Sequence, residues 1–180
     1  TLEAILRHQV TDGPLQGAIY QYGHGGRPIE WFFPFYAARC VPALRAAYGY
    51  NHDERFRDAA LMVADFIMRY RGEDGSFPQI VYSQQRINRY PRWIAGVGDI
   101  LRALDIANEL GASHDTAPTQ QWLLSGQLPN GAIRTAHGFA AQANQRLKAG
   151  PPEFRDVLPV CGWVDKAFAW VCSQIEPDSP

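Results

Sequence analysis

The chain has 180 residues, of which 46% are hydrophobic, with a formal net charge of -1. That is enough for one compact domain with a sizeable core, and the even charge balance carries no basic footprint for nucleic acid. No apolar run reaches the length of a membrane span, and three scattered cysteines, Cys40, Cys161 and Cys172, argue against a disulfide scaffold or a four-thiolate zinc site.

Lysine is scarce, represented only by Lys148 and Lys166, so arginine supplies nearly all the positive charge. The guanidinium fork suits carboxylates, phosphates and ring faces, a hint toward anionic or ring-shaped ligands. The N-terminal Thr1-Leu2-Glu3-Ala4 stands directly inside a helical pattern with no initiating Met, which we read as a processed chain or a fragment of a longer protein.

Taken in order, the chain repeats one pattern. A helix-like stretch ends in Asp-Gly or Asn-Gly, a short extended run and a loop follow, and a Trp opens a second helix. The copies run from Asp12-Gly13 to Trp31, from Asp74-Gly75 to Trp93 and from Asn130-Gly131 to Trp163, with successive glycines 62 and 56 positions apart. Such self-similarity marks a helical-hairpin repeat. It predicts an all-α domain over 1–180 built of three hairpins, at about 1–50, 51–112 and 113–177. In each turn, glycine is expected in the left-handed conformation with the preceding acid or amide capping it.

In the first copy an inner helix is expected from Trp31 to about Tyr48, kinked by Pro42 in its middle. In the second, Asn51 and Glu54 have capping-box spacing before a helix running to about Arg71. Phe56, Ala60, Val63, Ile67 and Tyr70 form its apolar stripe, opposite Arg55, Arg57, Asp58, Asp65 and Arg69, so it is an outer, one-faced helix. The helix from about Arg92 to Leu110 is apolar on most sides and therefore buried, with Gly96 and Gly98 permitting close backbone approach. The third copy offers a short outer helix, Pro118 to about Ser125, a longer loop broken by Gly150-Pro151-Pro152, and an inner helix from about Val160 to Ile175.

The segments Arg-Gly-Glu-Asp-Gly-Ser-Phe-Pro (71–78) and Arg-Trp-Ile-Ala-Gly-Val-Gly-Asp-Ile-Leu-Arg-Ala-Leu (92–104) resemble the α/α-toroid superfold shared by six-hairpin glycosidases, polysaccharide lyases and terpenoid cyclases. The resemblance implies an incomplete toroid, a half-barrel arc of three hairpins instead of six. No acidic Asp-X-Asp-Asp run is present, Asp156, Cys161 and His137 lack the spacing of a prenyltransferase zinc site, and no Cys-His-Gly zinc segment occurs. No metal or cofactor is expected.

In toroids the loops entering the inner helices build the mouth of the central cavity; here these are 14–30, 76–91 and 132–161. Trp31, Trp93 and Trp163 then either stack on sugar rings at that mouth or wedge between neighbouring hairpins. Glu30, Asp99 and Asp165 are the candidate carboxylates for glycoside hydrolysis. Asp99 lies mid-helix in apolar surroundings, so it is either satisfied by an Arg of a neighbouring helix or poised as an acid, while Glu30 and Asp165 also suit the first turn of a helix. His24 and His137, in comparable loops, are candidate bases. The second loop is dense in planar polar and aromatic groups, among them Gln85, Arg89, Tyr90 and Arg92; it is either a solvated loop or a site that holds a polyhydroxylated or uronate ligand through forked arginine contacts.

The functional expectation is a carbohydrate-active domain that binds or cleaves an oligo- or polysaccharide, either neutral or uronate-containing. The alternative is a non-catalytic half-toroid that closes its ring with a second copy or a missing partner segment. A terpenoid cyclase-like cavity, suggested by the aromatic run Trp31-Phe32-Phe33-Pro34-Phe35-Tyr36, comes third.

Overall fold

The computed structural model describes residues 2–21, 23–84, 86–137 and 165–174. Among these, the helices are α1 (Leu2–Arg7), α2 (Pro34–Ala38), α3 (Cys40–Asn51), α4 (Glu54–Arg69), α5 (Val97–Glu109), α6 (Ala117–Ser125) and α7 (Asp165–Ser173). The strands are β1 (Gly23–His24), β2 (Arg27–Pro28), β3 (Trp31–Phe32), β4 (Ile80–Tyr82), β5 (Ile87–Asn88), β6 (Arg92–Trp93) and β7 (Ala136–His137).

The all-α expectation, an arc of helical hairpins, is overturned by those strands. They form three small antiparallel sheets, ordered β1-β2, β3-β4-β5 and β6-β7, and the fold mixes helix and strand. The strands have a regular logic. β3, just before the first inner helix, pairs with β4 beyond the second turn, joining Trp31 to Tyr82 and Phe32 to Val81. β6, before the second inner helix, pairs with β7 beyond the third turn, joining Arg92 to His137 and Trp93 to Ala136. Each loop thus gives its backbone donors and acceptors to the next copy, which satisfies groups that half-buried loops would otherwise leave unpaired.

Helix α4 follows its sequence closely. Phe56, Ala60, Val63 and Ile67 are buried and Tyr70 half-buried, while Arg55, Asp58, Asp65 and Arg69 are exposed. Its cap is Asp53 instead of Asn51, with the Asp53 carboxylate accepting from the Arg55 amide at 3.0 Å. The Arg55 guanidinium beside it holds the Asp53 carboxyl below its ordinary value. The first inner helix is broken, not merely kinked. α2 ends at Ala38 and α3 begins at Cys40, with Pro42 on the third position of α3. A proline ring clashes with the carbonyl four residues earlier, here that of Ala38, so the interruption falls where the steric conflict lies. The second inner helix begins later than expected, because Arg92 and Trp93 are extended in β6.

Helix α5 is the centre of the molecule. Ile100, Ala103, Leu104 and Ala107 join one core with α2, α3 and α4, while Val97 and Leu101 join a second with Trp122, Leu123, Ile133, Ala167 and Trp170. Burial on two sides explains why its sequence is apolar around most of its circumference. Gly98 allows α7 to approach so closely that a Cβ there would collide with the Lys166 carbonyl. The inner helix of the third copy, α7, is described from Asp165 onward; the expected stretch 160–164 lies outside the described residues.

The turn glycines are left-handed as expected, with φ of 71° at Gly13, 81° at Gly75 and 85° at Gly131. In the first copy, however, Gly17 holds the structural place of Gly75. A Cβ on Gly17 would strike the Met62 backbone of α4, and one on Gly75 the Pro118 backbone of α6, whereas Gly13 faces open space. Met62 and Pro118 each precede the next turn glycine by 13 residues, so one packing register recurs. The bridges Gln9–Ile19 and Gln127–Ile133 confirm that Gly17 and Gly131 are also equivalent.

Candidate functional site

The end of α4, the second turn and the second loop enclose a cavity of about 540 Å³. Helix α4 supplies Arg69, the residues just after it Tyr70 and Arg71, the turn Glu73, Asp74 and Ser76, and the loop Arg89, Tyr90 and Arg92. Three of the loop residues expected to bind ligand, Arg89, Tyr90 and Arg92, are therefore brought together. Gln85 lies outside the described residues.

Asp74 organises this cavity. Its Oδ1 accepts from the Ser76 amide at 3.1 Å and hydroxyl at 2.6 Å, and its Oδ2 accepts from Arg92 Nη1. Partial burial pushes the Asp74 carboxyl up, but the Ser76 donors and the Arg92 guanidinium outweigh it, so the group is held below its ordinary value. Arg92 is further fixed by two rings, its guanidinium lying 4.6 Å from the Trp122 centroid and 5.8 Å from that of Tyr90. Such stacking leaves a planar cation rigid and oriented. Burial raises the Tyr70 phenol, with Arg69 partly offsetting it.

The other arginines divide by employment. Arg69 donates to the carbonyls of Pro14 and Gln16, and Arg71 to that of Asp115, so both tie the second copy to its neighbours. Arg89 is exposed and makes no ion pair among the described residues. Four arginines against Glu73 and Asp74 leave the cavity positive.

The three-stranded sheet reaches the same cavity through Ile87 of β5. On β3 and β4, Trp31 is 49% exposed and meets Tyr82 edge to face at 6.3 Å, and Arg86 covers Tyr82 at 4.7 Å. Trp31 therefore offers an open aromatic face. Trp93, by contrast, is half-buried against the first core, which is the wedge role. Trp163 lies outside the described residues.

The candidate carboxylates are dispersed. Asp99 lines a separate groove of about 800 Å³ between α3, α5 and α7, where it accepts from Arg39 Nε at 2.7 Å. The same groove carries Asp105, which accepts from Trp170 Nε1 at 2.7 Å, and the Arg45–Glu109 pair at 3.0 Å. Asp99 is thus the Arg-satisfied acid. Glu30 and Asp165 are exposed and line neither space, so neither brings two of the three candidate acids together. His24 is exposed on β1, and His137 sits on β7 opposite Arg92, its side chain lying outside the described residues.

Reading the sequence missed Arg69, Arg71 and the second role of Asp74. From the sequence the first two fall on a solvated helix face and at a helix end, and only tertiary packing places them on the cavity lining. No protein-family model matches the chain, and no curated protein is significantly similar to it. Among the described residues, no helix is long and apolar enough to cross a membrane.

Proposed function

We propose that the chain binds an acidic oligo- or polysaccharide in the cavity between the end of α4 and the second loop. The observation that carries this reading is the convergence of Arg89, Tyr90 and Arg92 on one positive cavity in which Arg89 has no acidic partner among the described residues. Arg92, held by Asp74 and two rings, presents a pre-ordered cation, and Arg89 supplies a second fork for a carboxylate. Trp31 on the adjoining sheet provides an apolar face for a sugar ring. Binding, not cleavage, is proposed, because neither space described above places two of the candidate acids across from each other.

The test is calorimetric titration with a uronate oligosaccharide and its neutral counterpart. The uronate is expected to bind and the neutral sugar to bind at least tenfold more weakly. Arg89→Ala should weaken uronate binding by roughly ten- to a hundredfold, the range of a charged hydrogen bond worth about 1.5–3 kcal/mol. Equal affinity for the two sugars, or an indifferent Arg89→Ala, would remove the reading.

A further inference from the structure

A second cavity, of about 560 Å³, lies at the end of α1 and is lined by Arg7, His8, Tyr20, Gln21 and Arg27, with Gly23, Gly26 and Pro28 completing it. It holds the same place in the first copy as the cavity above holds in the second. Arg7 and Arg69 end the two outer helices, and Arg27 and Arg89 each stand four residues before the Trp that opens the inner segment. A single spacing of 62 residues separates Arg7 from Arg69, Arg27 from Arg89 and Trp31 from Trp93. In the third copy Ser125 and Pro159 take the two arginine places, so the pair occurs in two copies and not in the third.

The first cavity reaches its positive charge with arginines alone, whereas the second sets four arginines against Glu73 and Asp74. None of its lining residues is a carboxylate, and neither Arg7 nor Arg27 makes an ion pair among the described residues. Gln21 adds a second kind of chemistry. Its Nε2 donates to the Phe33 carbonyl at 3.1 Å, while its Oε1 is buried with no hydrogen-bond partner among the described residues. A buried acceptor without a donor is costly, and a ligand hydroxyl is a donor that would satisfy it. Two unpaired guanidinium forks beside a carbonyl acceptor match a ligand bearing both an anionic group and hydroxyls.

We infer that the cavity of Arg7, Gln21 and Arg27 is a second site for an acidic sugar unit, equivalent to the one at Arg89, so that the chain carries two such sites in tandem. This rests on the reading of the Arg89 cavity given above. A carboxylate and a phosphate share the anion chemistry, and the two are separated by the choice of probe.

The experiment is titration of the intact chain with glucuronate, glucose and inorganic phosphate, repeated on Arg27→Ala, Arg89→Ala and the double variant. Glucuronate is expected to bind two equivalents, each single variant one, and the double variant none, with glucose at least tenfold weaker. Thermal melting checks that each variant is folded, and Arg7→Ala provides an independent change in the same cavity. One equivalent in the parent chain, lost in Arg89→Ala and untouched by Arg27→Ala and Arg7→Ala, would overturn this inference and leave the Arg89 site standing. Loss confined to the Arg7 and Arg27 variants would overturn the Arg89 reading and keep the cavity at α1. Phosphate binding as well as glucuronate would overturn the sugar assignment, and no binding by any probe would overturn both.

Discussion

The second and third turns share a backbone and differ in everything around it. Gly75 and Gly131 both sit at positive φ, and both are followed by the same side-chain cap: the Ser76 amide donates to Asp74 Oδ1, and the Ala132 amide to Asn130 Oδ1, each at 3.1 Å. Yet a Cβ on Gly75 would enter the Pro118 backbone, while one on Gly131 would meet nothing within 4 Å. The local sequence therefore writes the turn, and the neighbouring helix decides what the turn is worth.

The largest effect expected from this contrast is at Gly75. Gly75→Ala combines left-handed strain of about 1–3 kcal/mol with overpacking of similar size. A loss of roughly 3 kcal/mol or more in urea denaturation should result, and Gly17→Ala should behave alike because it meets Met62. Gly131→Ala suffers the backbone term alone, about 1 kcal/mol. Equal losses at Gly75 and Gly131 would mean that the contact with α6 contributes nothing.

A subtler contrast lies in the caps. The folded Asp74 carboxyl is held below its ordinary value, so its contribution is complete above the unfolded value near pH 4 and is lost as pH falls through the folded one. Asn130 does not titrate. Urea midpoints measured between pH 3 and pH 7 should therefore decline at the acid end, and Asp74→Asn should flatten part of that decline. Asp53, lowered by Arg55, keeps a residual slope in both proteins. An unchanged slope in Asp74→Asn would show that the Ser76 and Arg92 donors do not favour the charged form. The smallest effect is expected at Arg27 and Arg89, both exposed and free of ion pairs among the described residues. Their alanine variants should melt within about 0.5 kcal/mol of the parent, against the marked loss of ligand proposed for them.

Features that follow from local rules were legible in the sequence. The stripe of α4, the left-handed turn glycines and the crowded α5 each depend on periodicity or on one residue's backbone freedom. What escaped depends on distant partners. Strands of two or three residues leave no alternating signature of their own, and β3 exists only because Val81 and Tyr82 come alongside. Gly17 was passed over because four extra residues in the first turn move the packed glycine away from the Asp-Gly pair. At the candidate site, Arg89, Tyr90 and Arg92 are visible as a dense loop, whereas the places of Arg69 and Arg71 on the cavity rim follow from their bonds to distant carbonyls. The dispersal of Glu30, Asp99 and Asp165 likewise follows from packing that no spacing revealed.

The pairing of β3 with β4 has one further consequence. Trp31 is half exposed and Phe32 is 1% exposed, because successive residues of a strand point to opposite sides. Removing a single residue between Pro28 and Trp31 would slip the strand by one, putting Phe32 on the exposed side and turning the indole to the core side. Removing two would restore the original parity. Length variation in this stretch should therefore be tolerated in even steps and penalised in odd ones, a counting rule imposed by a strand only two residues long.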